Sequence, residues 1–112
     1  MRGIHLIADV VSIIDCELLN TVDGIKPLME KIINDMDLHV VGQIHKQFEP
    51  IGATCLYLLS ESHLSCHTYP ELHYCAIDLY CCDDSIEMDD VLEIIYEYFN
   101  HKCIIRNQVI VR

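Results

Sequence analysis

Two stretches of this chain repeat their apolar residues every third or fourth position, and they sit among shorter runs that read as strands. Val22, Ile25, Leu28, Met29, Ile32, Ile33 and Met36 fall on one side of a helix with 3.6 residues per turn, and Met88, Val91, Leu92, Ile95 and Phe99 repeat the pattern. Pro27 is tolerable if it falls near the first turn, where a missing N–H costs little. The strand-like runs are Ile4 to Ile13, Leu38 to Phe48, Ala53 to Leu59, His63 to Tyr69, His73 to Cys81 and Cys103 to Val111. Connections as short as Glu49-Pro50-Ile51-Gly52 and Tyr69-Pro70-Glu71-Leu72 make antiparallel neighbours. Two helices cannot cover both faces of such a sheet. The pattern therefore predicts an α+β fold, a two-layer sandwich of a mainly antiparallel sheet with two helices on one face.

At 112 residues the chain has room for one domain, residues 1–112, and 52% hydrophobic residues can fill its core. No linker or internal repeat divides it. The strands are apolar enough to bury the uncovered face as well, and the simplest cover is a second copy, so a homodimer is expected. No apolar run reaches the roughly 18 to 20 residues that span a bilayer. Met1 to His5 is too brief to begin a secretory signal. A cytoplasmic protein with no membrane partner is the expectation. There the seven cysteines stay reduced, and an odd number cannot pair completely within the chain. A net charge of −11 with only seven Lys and Arg argues against nucleic acid, whose phosphates need basic partners. The acidic run Cys82 to Asp90 reads as a helix start, with Asp84 or Ser85 as the cap and acids in the first turn. It lacks the spacing and central glycine of a calcium loop.

The chemistry-bearing residues gather in "LLSESHLSCHTYPELHYCAIDLYCC", Leu58 to Cys82. His63, Cys66, His67 and His73 invite a metal reading. Along a strand, though, residues four apart lie roughly 13 Å from one another, too far to share one ion. No Cys-x-x-Cys pair is present, and Cys81 and Cys82 face opposite sides of a regular strand. No metal is expected. A serine hydrolase built on Ser62 would lack the Gly-x-Ser-x-Gly elbow, and His63 would project away from Ser62. A third chemistry is permitted: the Ser62 hydroxyl attacks the carbonyl of Glu61, turning the amide into an ester that breaks by β-elimination.

"LLSESHLSCHTYPE" followed by "YCAIDLYCC", with "GIHLIADV" near the start and "HKQFEPIGAT" before the serine, closely resembles the short prokaryotic-type S-adenosylmethionine decarboxylase proenzymes. These are self-cleaving, pyruvoyl-dependent enzymes of polyamine synthesis. The resemblance runs from about Gly3 to Val109. It implies self-cleavage between Glu61 and Ser62, leaving residues 63 to 112 joined to a pyruvoyl group made from Ser62, with neither pyridoxal phosphate nor metal. It implies that His67 removes the Ser62 α-proton during processing, that Thr54 stands where the family usually has a processing serine, and that Cys82 is the catalytic cysteine. Phe48 and Glu71 match residues that hold the nucleoside, by stacking and by accepting hydrogen bonds from the ribose.

The resemblance also carries departures. Tyr69 replaces a common tryptophan beside the site, and Lys46, Glu49 and Ile51 differ from the usual surroundings of Phe48. Relatives with altered pockets decarboxylate arginine or ornithine, and a carboxylate such as Glu49 suits such a cation. The leading expectation is a homodimer of cleaved protomers acting on S-adenosylmethionine. The alternatives are arginine or ornithine as substrate and, from another class, a regulatory homologue that is never processed.

Overall fold

The computed structural model describes residues 3–60, 62–82 and 85–112. Six strands and two helices follow one another as β1 (Ile4–Val11), α1 (Val22–Asp35), β2 (Val40–Gln47), β3 (Ala53–Leu59), β4 (Ser62–Tyr69), β5 (Tyr74–Cys81), α2 (Met88–Tyr98) and β6 (Ile104–Val111). All six strands form one antiparallel sheet in the order β2-β3-β4-β5-β1-β6. The expected two-layer α+β architecture is present. Two 3-10 turns, Cys16–Leu19 and Pro70–Leu72, have no counterpart in the periodicity, because each is a single tight turn.

Side chains alternate across the strands as the period of two requires. Leu6, Ala8 and Val10 of β1, Cys55, Tyr57 and Leu59 of β3, Leu64 and Cys66 of β4, and Cys75, Ile77 and Leu79 of β5 share a core with Ile25, Leu28, Met29 and Ile32 of α1 and Val91 and Ile95 of α2. Thr68 is the buried polar exception. Its hydroxyl donates to the Leu19 carbonyl at 2.7 Å and accepts from the Ala53 N–H at 2.8 Å, which ties the first 3-10 turn to β3 and β4. Among the described residues the opposite face of the sheet carries no helix. There Ile44, Leu56 and Leu58 are exposed beside one another on β2 and β3.

Helix α1 is capped by Thr21, whose hydroxyl accepts from the Gly24 N–H at 3.0 Å. Pro27 is the sixth helical residue, one turn deeper than expected, on an exposed side where water can replace the lost bond. Helix α2 also departs from expectation. Its cap residue is Glu87, which makes no side-chain cap bond, so Ser85 is not the cap; Asp84 lies outside the described residues. Asp89 and Asp90 do supply first-turn negative charge.

Candidate active site

The β3–β4 hairpin and its two ends position almost every residue singled out by the sequence. At one end, β3 finishes at Leu59 and β4 begins at Ser62, its direct partner in the ladder. Glu61, the other half of the expected cleavage bond, lies outside the described residues. Ser60 donates its N–H to the His39 carbonyl at 3.0 Å, drawing the start of β2 toward the turn. The half-buried Ser62 lines a cavity of about 170 Å³ together with His39, Ser60, Cys81 and Cys82. His63 is exposed while Leu64 is buried, so Ser62 and its neighbour face opposite ways as expected.

The cysteine pair differs from the regular-strand picture. Strand β5 ends at Cys81, so alternation does not extend to Cys82, and both residues line the Ser62 cavity. His63 pairs with Tyr80, which places Cys81 in the row next to Ser62. All seven cysteines are thiols. Burial pushes the Cys55 thiol up to about 11, and a hydrogen bond with the Cys75 thiol, then burial, raises Cys66 as well. Those core thiols are therefore poor proton donors to anything outside the core.

At the other end of the hairpin, Thr54 and His67 are direct ladder partners on the uncovered face and share a hydrogen bond of 3.0 Å between Oγ1 and Nδ1. Both line a second cavity, of about 290 Å³, with Phe48, Ile51, Tyr69 and Glu71. Phe48 reaches it because the chain reverses directly after β2: the Phe48 N–H donates to the Gly52 carbonyl at 2.9 Å. Gly52 has φ +112, a conformation costly for any residue with a Cβ. Glu71 arrives on the 3-10 turn that follows β4. Tyr69 is stacked on Tyr74 at 5.3 Å between ring centroids, and the Tyr74 hydroxyl donates to Asp9 at 2.8 Å. Burial, then the bond to Asp9, raises Tyr74 to about 12. Aromatic faces, a carboxylate and an imidazole paired with a hydroxyl thus converge on one hollow. Such a set can stack a planar base, accept from hydroxyls and move a proton.

The two ends do not meet within one chain. Ser62 and His67 are five residues apart, about 17 Å along a strand at roughly 3.3 Å per residue, and an odd separation puts them on opposite faces. Glu49 and Lys46 are exposed, and neither lines the second cavity. A wider hollow, about 540 Å³ over Ile44, Leu56, Leu58 and His63, belongs to the apolar uncovered face rather than to either cluster. His63 and His67 are not part of a converging set of metal donors. Among the described residues the convergent donors are Glu93, Glu97 and His101, exposed on and after α2 and lining neither cavity.

The sequence model of the S-adenosylmethionine decarboxylase family matches residues 4–110, a span that includes both clusters. The chain belongs to the S-adenosylmethionine decarboxylase family. It is 38% identical over 93 residues to the S-adenosylmethionine decarboxylase proenzyme of Picrophilus torridus, covering 83% of this chain and 71% of that protein. With the proenzyme of Archaeoglobus fulgidus it shares 31% over 97 residues, 87% of this chain and 86% of that one. The fold is equally close to a solved member of the family. The crystal structure of adenosylmethionine decarboxylase from Aquifex aeolicus superposes with a TM-score of 0.85 at 31% identity, over 96% of this chain and 88% of that one.

Proposed function

We propose that the chain cleaves itself between Glu61 and Ser62 and then, as a homodimer of cleaved protomers, decarboxylates S-adenosylmethionine. One observation carries the reading: in a chain of this family, Ser62 shares a cavity with Cys82, while the Thr54–His67 pair shares another with Phe48, Tyr69 and Glu71.

In processing, the Ser62 oxygen attacks the Glu61 carbonyl and the peptide nitrogen leaves it, giving an ester. A base then takes the Ser62 α-proton and the ester oxygen departs, so that residues 1–61 end in a carboxylate. Residue 62 becomes dehydroalanine, whose imine tautomer takes up water and releases ammonia to leave a ketone. His67 is the proposed base, and Thr54, fixed to its Nδ1, orients the ring. Since His67 and Ser62 of one chain are apart, the base that serves Ser62 comes from a second copy. Two uncovered faces, packed about a two-fold axis perpendicular to β4, set the His67 end of one strand over the Ser62 end of the other, where the base approaches the Ser62 α-carbon from the side opposite its side chain. The same packing buries Ile44, Leu56 and Leu58.

The Ser62 cavity suits a pyruvoyl group: it is half-buried, at a strand start, with a thiol beside it. Such a group supplies a carbonyl that condenses with the substrate amine and takes up the electrons of the breaking carbon–carboxylate bond. Cys82 returns a proton to the substrate carbon. Phe48 and Tyr69 hold the adenine between their faces, and Glu71 accepts from the ribose hydroxyls. Pyridoxal phosphate and metal have no part in this scheme. Exposed Glu49, outside the cavity, offers nothing to the cation of arginine or ornithine. No helix of the described residues is long and apolar enough to cross a membrane, and a cytoplasmic setting would keep the thiols reduced.

Intact-protein mass spectrometry, followed by release of labelled carbon dioxide from carboxyl-labelled S-adenosylmethionine, arginine and ornithine, tests both halves. An uncut chain rejects self-processing. Faster turnover of either amino acid rejects the substrate.

A further inference from the structure

The turn that brings Phe48 into the hollow of Thr54 and His67 is held from behind by one side chain. Gln47 is the last residue of β2 and the ladder partner of buried Ala53, so it stands on the helix side of the sheet and does not line that hollow. Phe48 and Ile51, which do line it, are 46 and 40% exposed, and Glu49 and Pro50 between them are exposed as well. Burial alone holds such a turn weakly.

The Gln47 amide supplies what burial does not. Its Oε1 accepts from the Val22 N–H at 2.8 Å, an amide of the first turn of α1 that has no partner within the helix. Its Nε2 donates toward three carbonyls, those of Asn20 and Phe48 at 3.0 Å and that of Gly52 at 3.1 Å. Chemistry fixes which way the amide points, since a backbone N–H only donates and a carbonyl only accepts. Two N–H bonds shared among three oxygens thus draw both ends of the Phe48 to Gly52 turn onto the segment that opens α1. Two neighbours have anchors of their own: the Gly52 N–H donates to the Asn20 carbonyl and the Ala53 N–H to the Thr68 hydroxyl, each at 2.8 Å. A change at Gln47 therefore loosens the turn at Phe48 rather than the strand that follows it.

Resting on the reading that this hollow takes the nucleoside of S-adenosylmethionine, we propose that Gln47 is the positioning residue of its stacking wall. The amide fixes the backbone of Phe48 and the ring inherits that placement, so the face offered to the base is set before substrate arrives. Order established in advance strengthens binding, because a ring that must be immobilised on contact weakens it. Gln47 touches no reacting atom, and a seated substrate reacts at the same rate with or without it.

Steady-state kinetics of the self-cleaved protein, arranged as a double-mutant cycle with Phe48→Ala, tests it. Gln47→Glu separates the two tasks of the side chain. One carboxylate oxygen still accepts from Val22, while the other has no hydrogen to give and confronts three carbonyls. KM for S-adenosylmethionine should rise about fivefold, the size of one lost hydrogen bond, with kcat and self-cleavage unchanged. A merely structural role would lower the folded fraction, and so kcat, and leave KM where it was. Joined to Phe48→Ala, Gln47→Glu should add nothing to the roughly tenfold rise of Phe48→Ala alone, whereas independent residues would multiply to about fiftyfold. Multiplied effects, an unchanged KM in Gln47→Glu beside a raised one in Phe48→Ala, or a loss confined to kcat each overturn the proposal while the nucleoside reading stands. An unchanged KM in Phe48→Ala itself overturns that reading and the proposal with it. Gln47→Met, which sets no charge against the carbonyls, takes the place of Gln47→Glu should the latter not fold, with the same pattern expected.

Discussion

The two ends of β4 carry different kinds of chemistry. At its start, Ser62 stands on the helix-covered side in a small hollow with two thiols; toward its end, His67 stands on the uncovered side, already paired with Thr54 in a wider hollow of rings and a carboxylate. In the proposed function the first end holds the groups whose covalent bonds change. In that reading the second holds the groups that bind and transfer protons. A strand keeps such functions apart with certainty, because its length and its alternation fix both the distance and the face. The difference teaches that, in the proposed function, neither hollow suffices by itself and a second copy completes each.

The hardest blow to this division is Ser62→Ala, which should leave a single 112-residue chain by mass, with no decarboxylation. Cleavage at the same bond in that variant would remove Ser62 from the first hollow. His67→Ala should stall at the ester, which hydroxylamine cuts where it leaves an amide intact. Co-expressed with Ser62→Ala, the His67→Ala chain should regain cleavage, because the mixed dimer unites its Ser62 with an intact His67. Absence of any fragment from the mixture would mean that one chain completes its own site after all.

Smaller effects should separate residues within each hollow. Cys82→Ala should cut and then turn over about 10²-fold or more slowly, as for loss of a general acid. Cys81→Ala sharpens the assignment, since Cys81 lines the same cavity: it should lose stability rather than turnover. If Cys81→Ala instead loses turnover while Cys82→Ala does not, the proton donor is the buried thiol. At the other end, Phe48→Ala and Glu71→Gln should each raise KM for S-adenosylmethionine about tenfold, from roughly 1.5 kcal/mol of lost contact, and leave cleavage intact.

The weakest effect belongs to Tyr74. Its hydroxyl is raised from its ordinary 10 to about 12, so the contribution of the neutral phenol to stability is complete below pH 10 and lost as pH rises toward 12. Thermal melts of Tyr74→Phe should decline less over that window than those of the wild type. An identical decline would show that ionisation of the buried Tyr74 hydroxyl does not weaken the fold over that window.

Much of this was legible in the chain. Apolar spacing sets both helices and all six strands to within a few residues, because each element buries one side only. The separation of Ser62 from His67 was legible too, since five residues is an odd number on a strand. Two other features needed pairing between strands. Cys81 belongs to the Ser62 cavity through the β4–β5 alignment, and His39 arrives there through β2, whose ladder shifts at Val41. No local pattern records which strands lie side by side. Thr68 is similar: its tie to Leu19 spans 49 positions, and only the assembled core explains a buried hydroxyl there.

The strand order gives a cut after residue 61 an unusual outcome. The first fragment would own β1, β2 and β3, and the second β4, β5 and β6, yet β1 is seated between β5 and β6. Three of the five ladders, β3 with β4, β5 with β1 and β1 with β6, would then hold separate polypeptides together. The pieces are dovetailed rather than merely touching, so parting them means dismantling the sheet. A severed molecule of this kind should melt as one cooperative unit, but it could reassemble only as a bimolecular reaction, slower in dilute solution than the refolding of the uncut precursor.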